Sequence, residues 1–372
     1  LGHLEGKSVL KNLSPYKPGK HPDQIKKVFN VKKIVKLASN ENPYGSSPAV
    51  KQIFEDRSDN SYALYPDGHA SELREALSDQ LGVSGDQLVF GNGSDELIQM
   101  ISRAYLYPGS HTIMATPTFP QYKHHALIEG AHIEEVPLNN GAHDLKEMFN
   151  KIHEQTKVIW LCSPNNPTGT PLCKQSFHQF MEQCPKDILV VLDEAYYEYQ
   201  HSKYDLNVIQ KLHTYDNLIT LRTFSKAYGL ASLRIGYAVA NKHVAQQLNI
   251  VRGPFNTSTI AQKAAVTALK DENFVRESIK KNEQVKNQFM LFLDDLGWTY
   301  DHSETNFLFV KTPVSGYDIE KFLLKHGFII RPGEALGMKN TMRVTIGTEE
   351  EMKELQQLLL TFNKKINEGK IR

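Results

Sequence analysis

Short apolar, β-branched runs alternate with longer stretches of helical periodicity through the middle of this 372-residue chain. The runs at 87–90, 111–115, 157–161, 188–192 and 217–221 are almost wholly apolar, as strands buried on both faces are. Each gives way to Gly, Pro, Asn, Asp or Ser, the residues of loops and caps. Between them the spacing predicts helices, as at 95–105 and 174–184. Strands alternating with helices imply an α/β fold with a mostly parallel sheet covered on both faces. In such sheets ligands bind beyond the carboxyl ends of the strands. The unusual residues of this chain fall there: Gly91-Asn-Gly-Ser-Asp95, Pro117-Thr-Phe119, Ser163-Pro-Asn-Asn-Pro167, Asp193-Glu-Ala-Tyr196 and Ser225-Lys226.

The pattern changes in the last third. A long charged helix is expected over 271–296, strands over 306–310 and 341–346, and helices over 318–326 and 349–363. That is an α+β arrangement. The expected division is an N-terminal arm over 1–40, rich in proline, a large domain over 41–265 and a smaller one over 266–372.

Composition narrows the function. The net charge is +1 with no block of like charge, which argues against a nucleic-acid partner. No apolar run approaches the roughly 20 residues needed to span a bilayer. The first residues lack the apolar core of a secretory signal, so a cytoplasmic enzyme is expected. Cys162, Cys173 and Cys184 form no close metal-binding pair; packing is their expected role, and no metal is expected.

The chemistry concentrates around Ser225-Lys226 and Arg234. Lys226 can hold an aldehyde as a Schiff base while Ser225 and Arg234 grip a phosphate, bidentately in the case of arginine. One phosphorylated aldehyde, pyridoxal 5′-phosphate (PLP), would engage all three; its ring is an electron sink for amino-group chemistry. The other strand ends supply matching parts. Ser94 and Asp95 open a helix whose N–H groups attract anions. Phe119 can stack on a flat ring. Asn166 offers an amide, and Tyr196 a hydroxyl, to a phenolic ring oxygen. Asp193 can pair with a protonated pyridine nitrogen, since a buried carboxylate needs a partner. Taken singly, each admits a plainer reading: Ser94, Asp95 and Asp193 as helix N-caps, Phe119 as core, Asn166 as part of a structural turn.

Asn166-Pro-Thr-Gly169, Asp193-Glu-Ala-Tyr196 and Ser225-Lys226 through Arg234, in this order and spacing, resemble the fold-type I PLP aminotransferases. The resemblance covers essentially the whole chain. Ser39-Asn-Glu-Asn42-Pro-Tyr-Gly45, Leu64-Tyr65-Pro-Asp-Gly68, Arg331-Pro-Gly-Glu-Ala-Leu-Gly337 and Met342-Arg343-Val-Thr-Ile-Gly347 are most similar to the histidinol-phosphate aminotransferases within that group. Ser232 departs from the glycine many relatives carry, a difference expected to affect packing. The resemblance implies a large domain with a seven-stranded sheet in an α/β/α sandwich, and a homodimer in which Tyr65 reaches the partner's cofactor phosphate. It also implies that the arm packs with the small domain and the dimer interface, that Tyr16 and Asn42 help close the site and that Arg343 grips a substrate carboxylate. Arg331 is then a credible second cation for a substrate phosphate.

The implied reaction is a ping-pong transfer of an amino group between L-histidinol phosphate and 2-oxoglutarate. Its products are imidazole acetol phosphate and L-glutamate, as in histidine biosynthesis. Two enzymes of the same fold remain as alternatives, an aromatic amino acid aminotransferase and a threonine-phosphate decarboxylase. A non-catalytic PLP-sensing regulator is disfavoured, because only about 40 residues precede Asn42-Pro-Tyr.

Overall fold

The computed structural model describes residues 5–15, 20, 22–55 and 63–369. The described strands are β1 (Val35–Lys36), β2 (Leu88–Gly91), β3 (His111–Thr116), β4 (His132–Pro137), β5 (Thr156–Cys162), β6 (Leu189–Asp193), β7 (Leu218–Thr223), β8 (Gly236–Ala240), β9 (Phe307–Lys311), β10 (Phe328–Ile329), β11 (Arg331–Pro332) and β12 (Thr341–Thr345). Seven of them form one sheet in the order β2-β8-β7-β6-β5-β3-β4. Strand β8 runs antiparallel to both its neighbours, and the remaining pairs are parallel.

Alternate residues of each central strand feed opposite faces of the sheet, as the two-residue period requires. Val190 and Leu192 join one buried cluster, packed with Phe177 and Ala264 from the helices Lys174–Gln183 and Thr259–Lys270. Val191 joins the other, with Ile98, Tyr122 and Leu248 from the helices Gly93–Tyr105, Pro120–Ile128 and Lys242–Val251. Each fully buried Val, Leu or Ile contributes about 1.5–3 kcal/mol. This is the α/β/α sandwich expected from the alternating pattern.

Two sheet strands escaped the hydrophobic pattern. Strand β4 is an edge strand whose sequence includes Glu134 and Glu135, and most of it is partly exposed. Strand β8 is fully buried, but its sequence Gly-Tyr-Ala-Val-Ala is mostly small residues, and it begins two positions after Arg234, directly behind the stretch that carries the chemistry.

The C-terminal part builds a second sheet, β11-β12-β9, antiparallel throughout. It packs in its own cluster with the helices Glu272–Asp295, Gly316–Leu324 and Glu349–Asn367. The last of these starts in a capping box between Thr348 and Glu351. Strand β1 pairs with β10, Val35 opposite Phe328, so the segment leading into Ser39–Gly45 is sewn to the C-terminal part. Among the described residues no helix is long and apolar enough to cross a membrane, and no group of three or more His, Cys, Asp or Glu is arranged to hold a metal ion.

Candidate active site

The carboxyl ends of β2, β3, β5, β6 and β7 converge on one cavity, which β11 and β12 border from the C-terminal part. Eleven of the residues expected from the sequence line it: Ser94, Asp95, Phe119, Asn166, Asp193, Tyr196, Ser225, Lys226, Arg234, Arg331 and Arg343.

One end is built for an anion. Arg234 Nη1 donates to Ser225 Oγ at 3.2 Å, and Nη2 lies 3.4 Å from both the Asn92 carbonyl and Asp95 Oδ2. The guanidinium rests against Gly93, where an added Cβ would meet Nη2 at 2.5 Å. Only glycine therefore permits this approach to the start of the helix Gly93–Tyr105, whose unpaired N–H groups favour negative charge. Arg234 itself adopts a left-handed φ of 54°. That conformation is uncommon for a side chain of this size, and it aims the guanidinium at the cavity.

Asp193, the last residue of β6, is 3% exposed. Tyr122 Oη donates to its Oδ2 at 2.7 Å and the Ala195 N–H to its Oδ1 at 3.1 Å. Burial pushes the carboxyl up to about 6, against the pull of these two donors. Both donors are neutral, so a cationic ring nitrogen would complete the charge balance. Tyr122 is fully buried and stacks on Trp160 at 4.9 Å between centroids, while Phe119 packs edge-on against it at 5.6 Å.

Lys226 donates from Nζ to the Ser39 carbonyl at 3.0 Å. Burial draws its amine down to about 8, and the Arg343 charge adds to the effect. A neutral amine is thus accessible near neutral pH, as a covalent anchor and proton carrier requires. Cys162 also lines the cavity, and burial holds its thiol protonated by pushing it up to about 12.

Arg343 sits directly opposite Arg331 across β11 and β12. It is buried, and it donates to Asn166 Oδ1 at 2.6 Å and to the Ala38 carbonyl at 2.7 Å. With its oxygen engaged, Asn166 presents its amide nitrogen as a donor. Arg331 is half-buried.

Three expected residues stand apart from these. Asn42 does not line the cavity; it is buried and donates to the Ala227 carbonyl at 2.9 Å, bracing the turn that follows Lys226. Tyr65 is 83% exposed and stacks on Phe255 at 4.7 Å. Tyr16 lies outside the described residues.

Sequence reasoning missed Tyr122, Ser39 and Asn40. Tyr122 falls three residues after Phe119, a spacing that puts both on one side of the helix start, and this signal was readable. Ser39 acts through its carbonyl, which no side-chain motif reveals. Asn40 was hidden beside the more familiar Asn42.

The anion cradle at Gly93 and Arg234, the buried acid with only neutral donors and the amine near neutrality together fit PLP. Comparison with known proteins agrees. Residues 32–359 match the family described as aminotransferase class I and II. The chain is 52% identical to histidinol-phosphate aminotransferase 2 of Oceanobacillus iheyensis over 361 residues, 97% of this chain and 99% of that one. Among solved structures it is similar to histidinol-phosphate aminotransferase of Sinorhizobium meliloti in complex with pyridoxal-5′-phosphate. That likeness has a TM-score of 0.90 and 26% identity, and covers 98% of this chain and 99% of the other. It shares its fold with L-threonine-O-3-phosphate decarboxylase of Porphyromonas gingivalis at a TM-score of 0.79 and 23% identity, covering 89% of this chain and all of that one. The chain belongs to the class I and II aminotransferases, PLP-dependent transferases of fold type I.

Proposed function

We propose that this enzyme transfers an amino group between L-histidinol phosphate and 2-oxoglutarate, giving imidazole acetol phosphate and L-glutamate, a step in making histidine. The observation that carries the reading is the Arg331–Arg343 pair, facing across one antiparallel ladder and lining the same cavity as Lys226. A dianionic phosphate has more acceptor oxygens than one guanidinium can satisfy. A carboxylate needs only one, so Arg343 serves glutamate and both arginines serve the phosphorylated substrate. The high identity with relatives named for this activity supports the same choice.

When bound, PLP supplies the electron sink for the reaction. This chain's residues do the rest. Ser94, Asp95, Ser225 and Arg234 would hold its phosphate, and Phe119 would pack against its ring. Asp193 would keep a proton on the ring nitrogen, while Asn166 and Tyr196 would offer donors to the phenolic oxygen. Lys226 Nζ would anchor the cofactor and, once released, carry the proton taken from the substrate α-carbon.

The exposure of Tyr65 supports a homodimer in which it reaches the partner's phosphate end; Tyr16 would help close the site, while Asn42 would act by bracing the backbone after Lys226. The separate cores support a large and a small domain, but with the boundary at the end of the helix Thr259–Lys270 rather than at 265/266, because Val266, Ala268 and Leu269 pack in the large core; Val35 and Leu37, from the arm expected over 1–40, pack in the small one. The free cysteines suit the reducing cytoplasm.

Steady-state turnover with purified enzyme tests the proposal. Sustained formation of glutamate from 2-oxoglutarate and histidinol phosphate is expected, with a kcat/KM well above those for phenylalanine and tyrosine. A preference for the aromatic amino acids, or carbon dioxide release from threonine phosphate without transamination, would overturn it.

A further inference from the structure

We infer that Asn40, oriented by Thr345, is a positioning residue that commits the Tyr196 hydroxyl to donate its proton into the cavity. The inference rests on the proposed contact between Tyr196 and the cofactor's phenolic oxygen, and adds the residues that enforce it. Asn40 lines the cavity, is 1% exposed and adopts a left-handed φ of 58°, which asparagine tolerates better than most residues.

Three hydrogen bonds fix its amide. The Asn40 backbone N–H donates to Thr345 Oγ1 at 2.9 Å, so this hydroxyl has its own proton free to give; it gives it to Asn40 Oδ1, also at 2.9 Å. That turns Nδ2 toward Tyr196, where it donates to the phenolic oxygen at 2.8 Å. A hydroxyl that accepts from an amide has its O–H directed elsewhere. Among the described hydrogen bonds the Tyr196 hydroxyl accepts this one and donates none. The charged or titratable groups facing it are Arg343 on β12, Asp193 and Cys162 at the ends of β6 and β5, the buried Tyr199 three residues on, and Lys226, whose Nζ lies 5.8 Å from the ring centroid. Burial raises the Tyr196 hydroxyl above its ordinary range, so it remains a donor at neutral pH.

Thr345 and Arg343 are two residues apart on β12 and so share a face. One strand therefore carries both the carboxylate grip and the hydroxyl that orients the phenolic donor. The Asn40 carbonyl is itself held by Asn306 Nδ2 at 3.0 Å, which ties this corner to the loop entering β9.

The test uses holoenzyme and reads the pH midpoint of the bound cofactor's visible absorbance. A donor at the phenolic oxygen stabilises its anion, so losing the donor raises the midpoint, by about one to two pH units for a hydrogen bond to a charged group. Asn40→Asp replaces the amide donor with an acceptor of the same shape and draws the Tyr196 proton onto itself. It should shift the midpoint upward by as much as Tyr196→Phe, with Thr345→Val in between. The double variant N40D/Y196F should shift no further than Y196F, because both changes remove one hydrogen bond. A wild-type midpoint in N40D beside a shifted Y196F would overturn the role of Asn40 and leave the Tyr196 contact standing. Additive shifts in the double variant would reduce Asn40→Asp to an effect of charge and overturn it too. An unshifted Y196F would overturn both readings.

Discussion

Tyr122→Phe removes one oxygen atom and tests how the buried acid is held ready. The ring's stacking on Trp160 and its edge contact with Phe119 survive the change, so packing is preserved. What is lost is the 2.7 Å hydrogen bond to Asp193 Oδ2. Donation from Tyr122 favours the ionised carboxylate and opposes the burial that already places this group at about 6. Tyr122 is itself held well above its ordinary value, first by burial and then by the Asp193 charge, so it keeps its proton across the working range. A hydrogen bond to a charged group contributes about 1.5–3 kcal/mol, and one pKa unit corresponds to about 1.36 kcal/mol, so the carboxyl should rise by about one to two units. Ring binding requires the ionised form. The acid limb of PLP affinity for the apoenzyme should therefore lie near 6 in the wild type. In the variant it should move to about 7–8. Equilibrium dialysis of apoenzyme against PLP between pH 5 and about 9 reads both limbs directly. A folded Tyr122→Phe variant with an unmoved limb would refute the assignment of Tyr122 as the group that keeps Asp193 charged.

Arg331→Ala should lower kcat/KM for histidinol phosphate by roughly 10- to 100-fold while leaving the glutamate half-reaction within a few-fold, as loss of one charge-assisted contact implies; equal losses in stopped-flow half-reactions would argue against a phosphate role. Arg222→Met should destabilise the fold by about 3–5 kcal/mol in urea unfolding, because it strands Glu194 as a buried charge. In the native structure Glu194 pairs with Arg222 at 2.9 Å and accepts from Thr220 at 2.9 Å. A change below about 1 kcal/mol would mean the pair is dispensable. Gly229→Ala should cost at least about 1 kcal/mol in thermal stability and loosen PLP binding. Gly229 has a φ of 71°, its N–H closes a turn onto the Lys226 carbonyl at 3.0 Å, and an added Cβ would collide with the Gly45 carbonyl. Unchanged melting and affinity would show that this turn adapts freely.

The sequence carried most of the large sheet because its central strands are buried on both faces and so read as unbroken apolar runs. Strand β6 illustrates this, with Leu189, Val190, Val191 and Leu192 all inside. Strand β4 was unreadable for the opposite reason: an edge strand with a wet face keeps its glutamates. The clustering of Asn166, Asp193, Tyr196 and Lys226 followed from their common place at strand ends. The network behind them did not. Asn40 is joined to Thr345, 305 residues away, and to Tyr196, 156 residues away, and no local pattern encodes such partnerships. Asn42 shows the converse limit, since a conspicuous motif residue turns out to face the backbone after Lys226 rather than the cavity.

The central claim is that the Lys226 amine holds the cofactor covalently. Reducing the holoenzyme with borohydride, digesting it and sequencing the peptides by mass spectrometry tests this most directly. The account predicts a single pyridoxyl addition on Lys226, absent from Lys226→Ala. A reduced adduct on a different lysine, or none on any, would contradict it.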